Sequence, residues 1–275
     1  MNVKPLITKA WIWSSFLLIL ATALAAPPAW AASPDFTDSQ KKEYERTLAA
    51  ADDTWGPKLK QQHLDYVALK QSALEWEQKV SDLHYRSEEK LTTLRKRIQQ
   101  IDADKLAKLK ADAEQTKSRH QKLFDLYRSA NQQLAAARKV KNKTLTALFQ
   151  AQSDAYKIPV QLARQEIKNK DAAYQQARKA TSAKMKKIRD ELSAVSPLQV
   201  QIRALKSALK APKDSQSTVW RSFTQSLSKR DAKLSAGLLG SVNTATRQIV
   251  EQHRKMYELE GRIAEVIRKA EGMLV

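Results

Sequence analysis

The chain is predicted to be all-α, an elongated antiparallel helical bundle or coiled coil of several long helices with no sheet. Three observations carry the prediction. Residues 58–158 contain no glycine and no proline; loops and sheets take those residues at their turns, so the stretch reads as long helix. Apolar residues recur along it at heptad spacing. The chain is rich in Ala, Lys, Gln, Leu, Arg and Glu, with 7% aromatic residues and no cysteine, which is the profile of long helices rather than of a thick globular core. Unbroken, that run would extend about 150 Å at 1.5 Å per residue.

Residues 1–31 read as a signal peptide. Lys4 and Lys9 precede any acid, an apolar run follows over residues 10–26, and Pro27 and Pro28 lead into Ala29-Trp30-Ala31. That tripeptide offers small side chains at the two positions a signal peptidase inspects, so cleavage is expected after Ala31. The alternative is an N-terminal membrane anchor, because the apolar run stands at the short end of a bilayer span. Residues 32–56 are expected to hold a linker, over 33–36, and a short helix capped by Thr37 or Asp38 that ends near Asp53. Trp55-Gly56-Pro57 stops it, and Pro57 opens the next helix, whose first turn needs no amide from that position.

Residues 57–158 are predicted to be one long coiled-coil helix or a helical hairpin. The first seam runs through Tyr66, Leu69, Ala73, Trp76, Val80 and Leu83, then Leu91, Leu94, Ile98 and Ile101. Its eleven-residue step from Val80 to Leu91 reads as a stutter. A second seam runs through Leu106, Leu109, Ala113, Thr116, His120, Leu123, Tyr127, Ala130, Leu134 and Ala137, with Leu148, Ala151, Ala155 and Ile158 continuing its frame. Two places suit a hairpin tip: residues 102–104, where Asp102 and Asp104 flank a register slip, and residues 141–144, where Lys141 and Thr144 put polar groups on the seam and Asn142 suits a turn. Spacing does not choose between them.

Residues 159–213 are predicted to be basic helices punctuated by Pro159, Pro197 and Pro212, each ending or kinking the helix before it. Residues 214–275 are predicted to form a last long helix from about 216 to 273. Its seam is Ile249, Gln252, Met256, Leu259, Ile263, Val266 and Ala270, and Gly237 and Gly240 mark a weak or kinked spot or, alternatively, a close helix crossing.

No catalytic constellation emerges, and no enzyme, metal or cofactor is expected. The chain has no cysteine nucleophile. His63, His84, His120 and His253 are scattered, and no two share a helix face at metal-ligand spacing. The acid pairs Asp52-Asp53 and Glu88-Glu89 point about 100° apart on a helix rather than at one atom. Between Gly56 and Gly237 there is no glycine, so no phosphate loop can be drawn. Asn142-Lys143-Thr144 matches a glycosylation sequon, a short pattern that arises readily by chance.

Charge is the informative feature. The formal net charge is +20, with 49 basic and 29 acidic residues. Residues 138–213 alone carry 18 basic residues against 5 acids. One cluster is Arg138, Lys139, Lys141 and Lys143. A second is Arg178, Lys179, Lys184, Lys186, Lys187 and Arg189. Arg164, Lys168, Lys179 and Lys186 recur at steps that share one helix stripe. These twelve residues are the candidate binding site, and a stripe of this kind suits a linear polyanion. Nucleic acid is a poor match, since export removes it from the obvious partners and Phe149, Tyr156 and Tyr174 are too isolated to form a stacking platform.

In outline, an exported, cysteine-free, basic chain of long helices resembles the periplasmic Skp/OmpH chaperones and the coiled-coil regions of secreted Gram-positive cell-wall proteins; no residue role is carried over from either. The expectation is a secreted or envelope-associated, non-enzymatic coiled-coil protein that adheres to anionic cell-wall polymer or an anionic lipid surface. The alternative is a holdase or partner-helix scaffold acting on exported protein clients. The heptad seams leave room for a homo-oligomer.

Overall fold

A computed structural model describes residues 34–274; the predicted signal peptide lies outside them. Among the described residues the chain is all-helical with no strand: α1 (Asp38–Ala49), α2 (Trp55–Gln99), α3 (Ala103–Lys139), α4 (Lys143–Leu192), α5 (Val195–Ala208), α6 (Lys210–Ser228) and α7 (Ala232–Gly272). No helix among them is long and apolar enough to cross a membrane. The described residues divide into two compact units, one of residues 34–73 and 208–250, the other of residues 74–207 and 251–274.

The first unit is built on aromatic packing. Thr37 caps α1 through a reciprocal box with Gln40, each residue's side-chain oxygen accepting the other's amide, which satisfies two of the free donors of a helix start. Asp52 accepts the amides of Thr54 and Trp55 at the head of α2, and Pro57 falls in its first turn as predicted. Phe36, Tyr44, His63, Tyr66, Trp220 and Phe223 gather with ring centres 4.8–5.8 Å apart. Burial pushes the Tyr44 hydroxyl up to about 12 and holds His63 below its ordinary value.

Residues 34–36, expected as part of a linker, carry no helix but are packed down. Phe36 packs into the core, the Tyr66 hydroxyl donates to the Pro34 carbonyl, and Lys70 pairs with Asp35. An aromatic ring with four aromatic neighbours gains too much by burial to stay in a free linker.

In the same unit α6 and α7 run antiparallel. Gln216 donates to Thr246 at 2.7 Å and the hydroxyls of Ser226 and Ser235 share a hydrogen bond of 2.6 Å, so numbering rises on one helix as it falls on the other. The turn between them, around Arg230, corrects the single helix predicted from 216 to 273. Arg230 takes a left-handed backbone with φ of 53°, and Asp231 accepts the Leu234 amide to start α7. No glycine marks the place, so the seam spacing on either side read as continuous. Along α7, Asn243 donates to both the backbone and the side-chain oxygen of Gln62. A methyl group on Gly237 would meet nothing within 4 Å and one on Gly240 would make only ordinary contact with Gln62, so neither glycine marks a close helix crossing.

The second unit shows where the chain turns back. Arg138 meets Gln150, Asn131 meets Ser153, His120 meets Glu166, Asp112 meets Lys170 and Asp102 meets Thr181. Numbering climbs along α3 as it falls along α4, which is an antiparallel hairpin with its tip at residues 140–142. Of the two predicted tips, the second is realised. At residues 100–102 the helix breaks, with Asp102 left-handed, but the chain does not reverse: Glu88 of α2 already meets Gln199 of α5, and α3 goes on along the same side of the partner strand of helix.

One seam gains a member and the other shifts. Ser87 is buried between Leu83 and Leu91, so a serine fills the eleven-residue gap, and the steps of three, four, four and three from Val80 to Leu94 keep the predicted stutter. Beyond the tip the buried and half-buried frame of α4 is Thr146, Phe149, Ser153, Tyr156, Val160 and Ala163. Leu148, Ala151, Ala155 and Ile158, predicted to lie in the seam, are exposed, because the turn through Lys141 resets the helical phase. The predicted α3 seam from Leu106 to Ala137 is buried or half-buried throughout.

Pro159 also departs from expectation. It lies inside α4, which continues to Leu192, so it does not end the helix and the boundary drawn there is not one. Its ring faces solvent, where a missing amide and its unpaired carbonyl can be hydrated. Pro197 and Pro212 sit in the first turns of α5 and α6, so the helices before them end just upstream, and α6 opens at Lys210 rather than near residue 216 because proline is tolerated in a first turn. In α7 the buried face is wider than a two-helix seam, with Leu259 and Glu260 both inside. Trp76, a predicted seam residue, is flanked by Tyr257 and by the cations of Lys79 and Arg254.

Candidate polyanion-binding surface

The α4 seam holds the candidate basic residues outward. Thr146, Ser153, Val160, Ile167, Tyr174, Thr181 and Ile188 recur every seven residues on the packed side, all buried or half-buried. Arg164, Lys168, Lys179 and Lys186 fall between those positions, and all four are exposed. They point to solvent because the apolar period leaves them nowhere else to go.

The two predicted clusters are held apart. Arg138, Lys139, Lys141 and Lys143 crowd the hairpin tip and are all exposed. Arg178, Lys179, Lys186, Lys187 and Arg189 are exposed near the far end of α4, about 50 Å away along the helix at 1.5 Å per residue. Lys184 is the exception, half-buried with its ammonium donating to the Leu274 carbonyl at 3.0 Å. Arg138 donates to Gln150 across the tip. Among the described residues none of the twelve makes an ion pair, whereas neighbouring cations do: Lys157 pairs with Asp154 and Lys170 with Asp112. The surface therefore presents a row of cations without internal counter-charge.

Three of the five acids within residues 138–213 are paired: Asp154 with Lys157, Asp171 with Lys117, and Glu166. Glu166 lies between Arg119 and His120 of α3, and the hydrogen bond from His120, then that from Arg119, holds its carboxyl below the usual range. The remaining histidines are likewise structural. His84 Nδ1 lies 2.8 Å from Glu260 Oε1, and that hydrogen bond raises the imidazole above its ordinary value. His253 is buried in α7. Asn142 of the sequon caps α4, its side chain accepting the Leu145 amide at 3.1 Å. No group of three His, Asp or Glu side chains converges as metal ligands among the described residues.

Sequence reading missed one feature of this face. Leu148, Ile158 and Leu162 are exposed on α4, and the heptad pattern itself hid this, because it fits a seam equally well whichever side of the helix it lines. Comparison with protein-family models, with curated proteins and with solved structures gives no match.

Proposed function

We propose that this is an exported, non-enzymatic coiled-coil protein of the cell envelope that adheres to an anionic surface, wall polymer or lipid headgroup, through the outer face of α4 and the hairpin tip. The observation that carries the reading is the exposed, unpaired row Arg164, Lys168, Lys179 and Lys186. Like charges held along one rigid helix repel one another, and an extended polyanion relieves that repulsion along its whole length. A rigid helix spaces the cations along a line, which suits a polymer or a headgroup layer better than a small anion. Contacts of this kind act by neutralisation and ion release and are screened within about 10 Å at 0.1 M salt.

The test is co-sedimentation of the protein with purified cell-wall sacculi and with anionic vesicles across a salt series. Binding to one of them that fades as salt rises supports the reading and says which surface matters. Binding indifferent to salt, or none to either, overturns it.

A further inference from the structure

The hairpin of α3 and α4 ends in a tip that is apolar and basic at once. Val140 caps α3 and is 70% exposed, and Leu145 and Leu148, in the first two turns of α4, are 40% and 60% exposed. Loop tips are ordinarily small and polar, and a valine set between two lysines at the apex departs from that. All three side chains lie within about 9 Å of Asn142 along the chain at 1.5 Å per residue. Single exposed leucines need no explanation, but a group gathered at one end of a hairpin does.

Charge around the group is of one sign. Residues 126–153 hold no acid and five bases. Four of the five, Arg138, Lys139, Lys141 and Lys143, flank the turn, and all four are exposed. The acids that bound this stretch, Asp125 and Asp154, are bridged to Arg128 and Lys157. The end of the hairpin is therefore a purely cationic surface with an apolar centre.

The combination selects one partner. A hydrophilic wall polymer would neutralise the cations and leave Val140, Leu145 and Leu148 in water. A second copy of this chain would bring like charge against like. An anionic bilayer offers both complements in the right order, phosphates outside and hydrocarbon beneath them. Interfacial segments bury their apolar side chains roughly 5–10 Å into that boundary, a depth comparable with the extent of the apolar tip. Lysine and arginine stems can follow the apolar side chains inward while their charged heads stay at the phosphates. We propose that the hairpin tip docks into the interface of an anionic lipid bilayer, with Val140, Leu145 and Leu148 reaching the acyl boundary and the four flanking cations holding lipid phosphates. The inference deepens the anionic-surface reading and rests on it. Of the two surfaces it selects lipid, and it adds an apolar contribution that salt does not screen.

The chain has no cysteine, so a single environment-sensitive dye can be placed at will. Thr144→Cys puts it at the tip and Ser182→Cys farther along the same helix, both at exposed positions. The exported protein carrying either dye is titrated with vesicles of phosphatidylglycerol in phosphatidylcholine. Emission from position 144 should move to shorter wavelength and become shielded from iodide, while the dye at 182 stays in water. An equal response at both positions, or none at 144 while vesicles bind, would overturn the proposal. Val140→Ser/Leu145→Gln/Leu148→Gln should weaken vesicle binding by at least about tenfold, with its salt slope kept and any binding to sacculi unchanged. Helical circular dichroism should not change, because all three side chains are exposed. Vesicle binding untouched by that variant would overturn the proposal, since charge alone would then account for it. Salt-sensitive binding to sacculi without binding to vesicles would also overturn it and leave the anionic-surface reading standing, whereas binding to neither overturns both.

Discussion

Three turns of this chain are made by residues that pay a conformational penalty in the left-handed region: Asp102 at φ 54°, Lys141 at 53° and Arg230 at 53°. A non-glycine residue held there is disfavoured by about 1–2 kcal/mol. Glycine removes that strain but adds backbone freedom to the unfolded chain, about 0.5–1 kcal/mol. Lys141 and Arg230 are exposed and have no side-chain partner among the described residues, so replacing either with glycine should stabilise by a net ~0.5–1 kcal/mol. Asp102 differs: its carboxylate accepts a hydrogen bond of 2.6 Å from Thr181. Losing that bond, worth about 0.5–1.5 kcal/mol, should cancel the gain. Thermal melts followed by circular dichroism would show Lys141→Gly and Arg230→Gly each raising Tm by about 1–4 °C, with Asp102→Gly near zero or below. Clear destabilisation by Lys141→Gly would refute the argument, because it would mean that residue 141 is helical and the tip lies elsewhere.

Other perturbations follow from single observations. The Ser87 hydroxyl is buried without a hydrogen-bond partner, so Ser87→Ala should stabilise by about 1 kcal/mol in urea unfolding, and destabilisation would show that the hydroxyl is satisfied. Pro159→Ala should raise stability by about 1–3 kcal/mol by restoring an amide to the interior of α4; no gain would mean the helix is already adapted around the ring. The raised His84 value contributes stability that is fully present below the ordinary imidazole value of about 6.5 and is lost as pH rises through the folded value. Half-buried His63 is shifted the other way, so the difference between wild type and His84→Gln isolates the effect: it should shrink as pH rises from about 6.5. A difference that does not change with pH would show that the Glu260 contact carries no charge.

Helix identity was legible where apolar period and cap chemistry agreed. The α3 seam, the Thr37 cap and the Pro57 start could all be read because each has one dominant local cause. The turns could not be placed uniquely. A glycine would have announced them, but Lys141, Asp102 and Arg230 carry the left-handed backbone instead. The seam frame was carried unbroken across residues 141–144, although a turn there resets the helical phase, which is why Leu148 and Ile158 were placed inside and Ser153 and Val160 were not. Pro159 misled for a related reason: its rule concerns the helix's own hydrogen bonds, and at an exposed position packing on the opposite face carries the helix through. The basic face was legible as composition, but only the α4 frame shows that its members are exposed, that Lys184 is tied to Leu274, and that the two clusters stand far apart.

The most direct test of the account compares wild type with Arg164→Gln/Lys168→Gln/Lys179→Gln/Lys186→Gln for binding to the anionic surface, sacculi or vesicles, as salt is varied. Among the described residues all four side chains are exposed and make no ion pair, so the variant should melt as wild type does. It should bind more weakly at low salt, and the slope of log affinity against log salt should shrink by about one for each cation removed. Unchanged affinity and slope would contradict the account and leave the outer face of α4 as no more than a solvated helix surface.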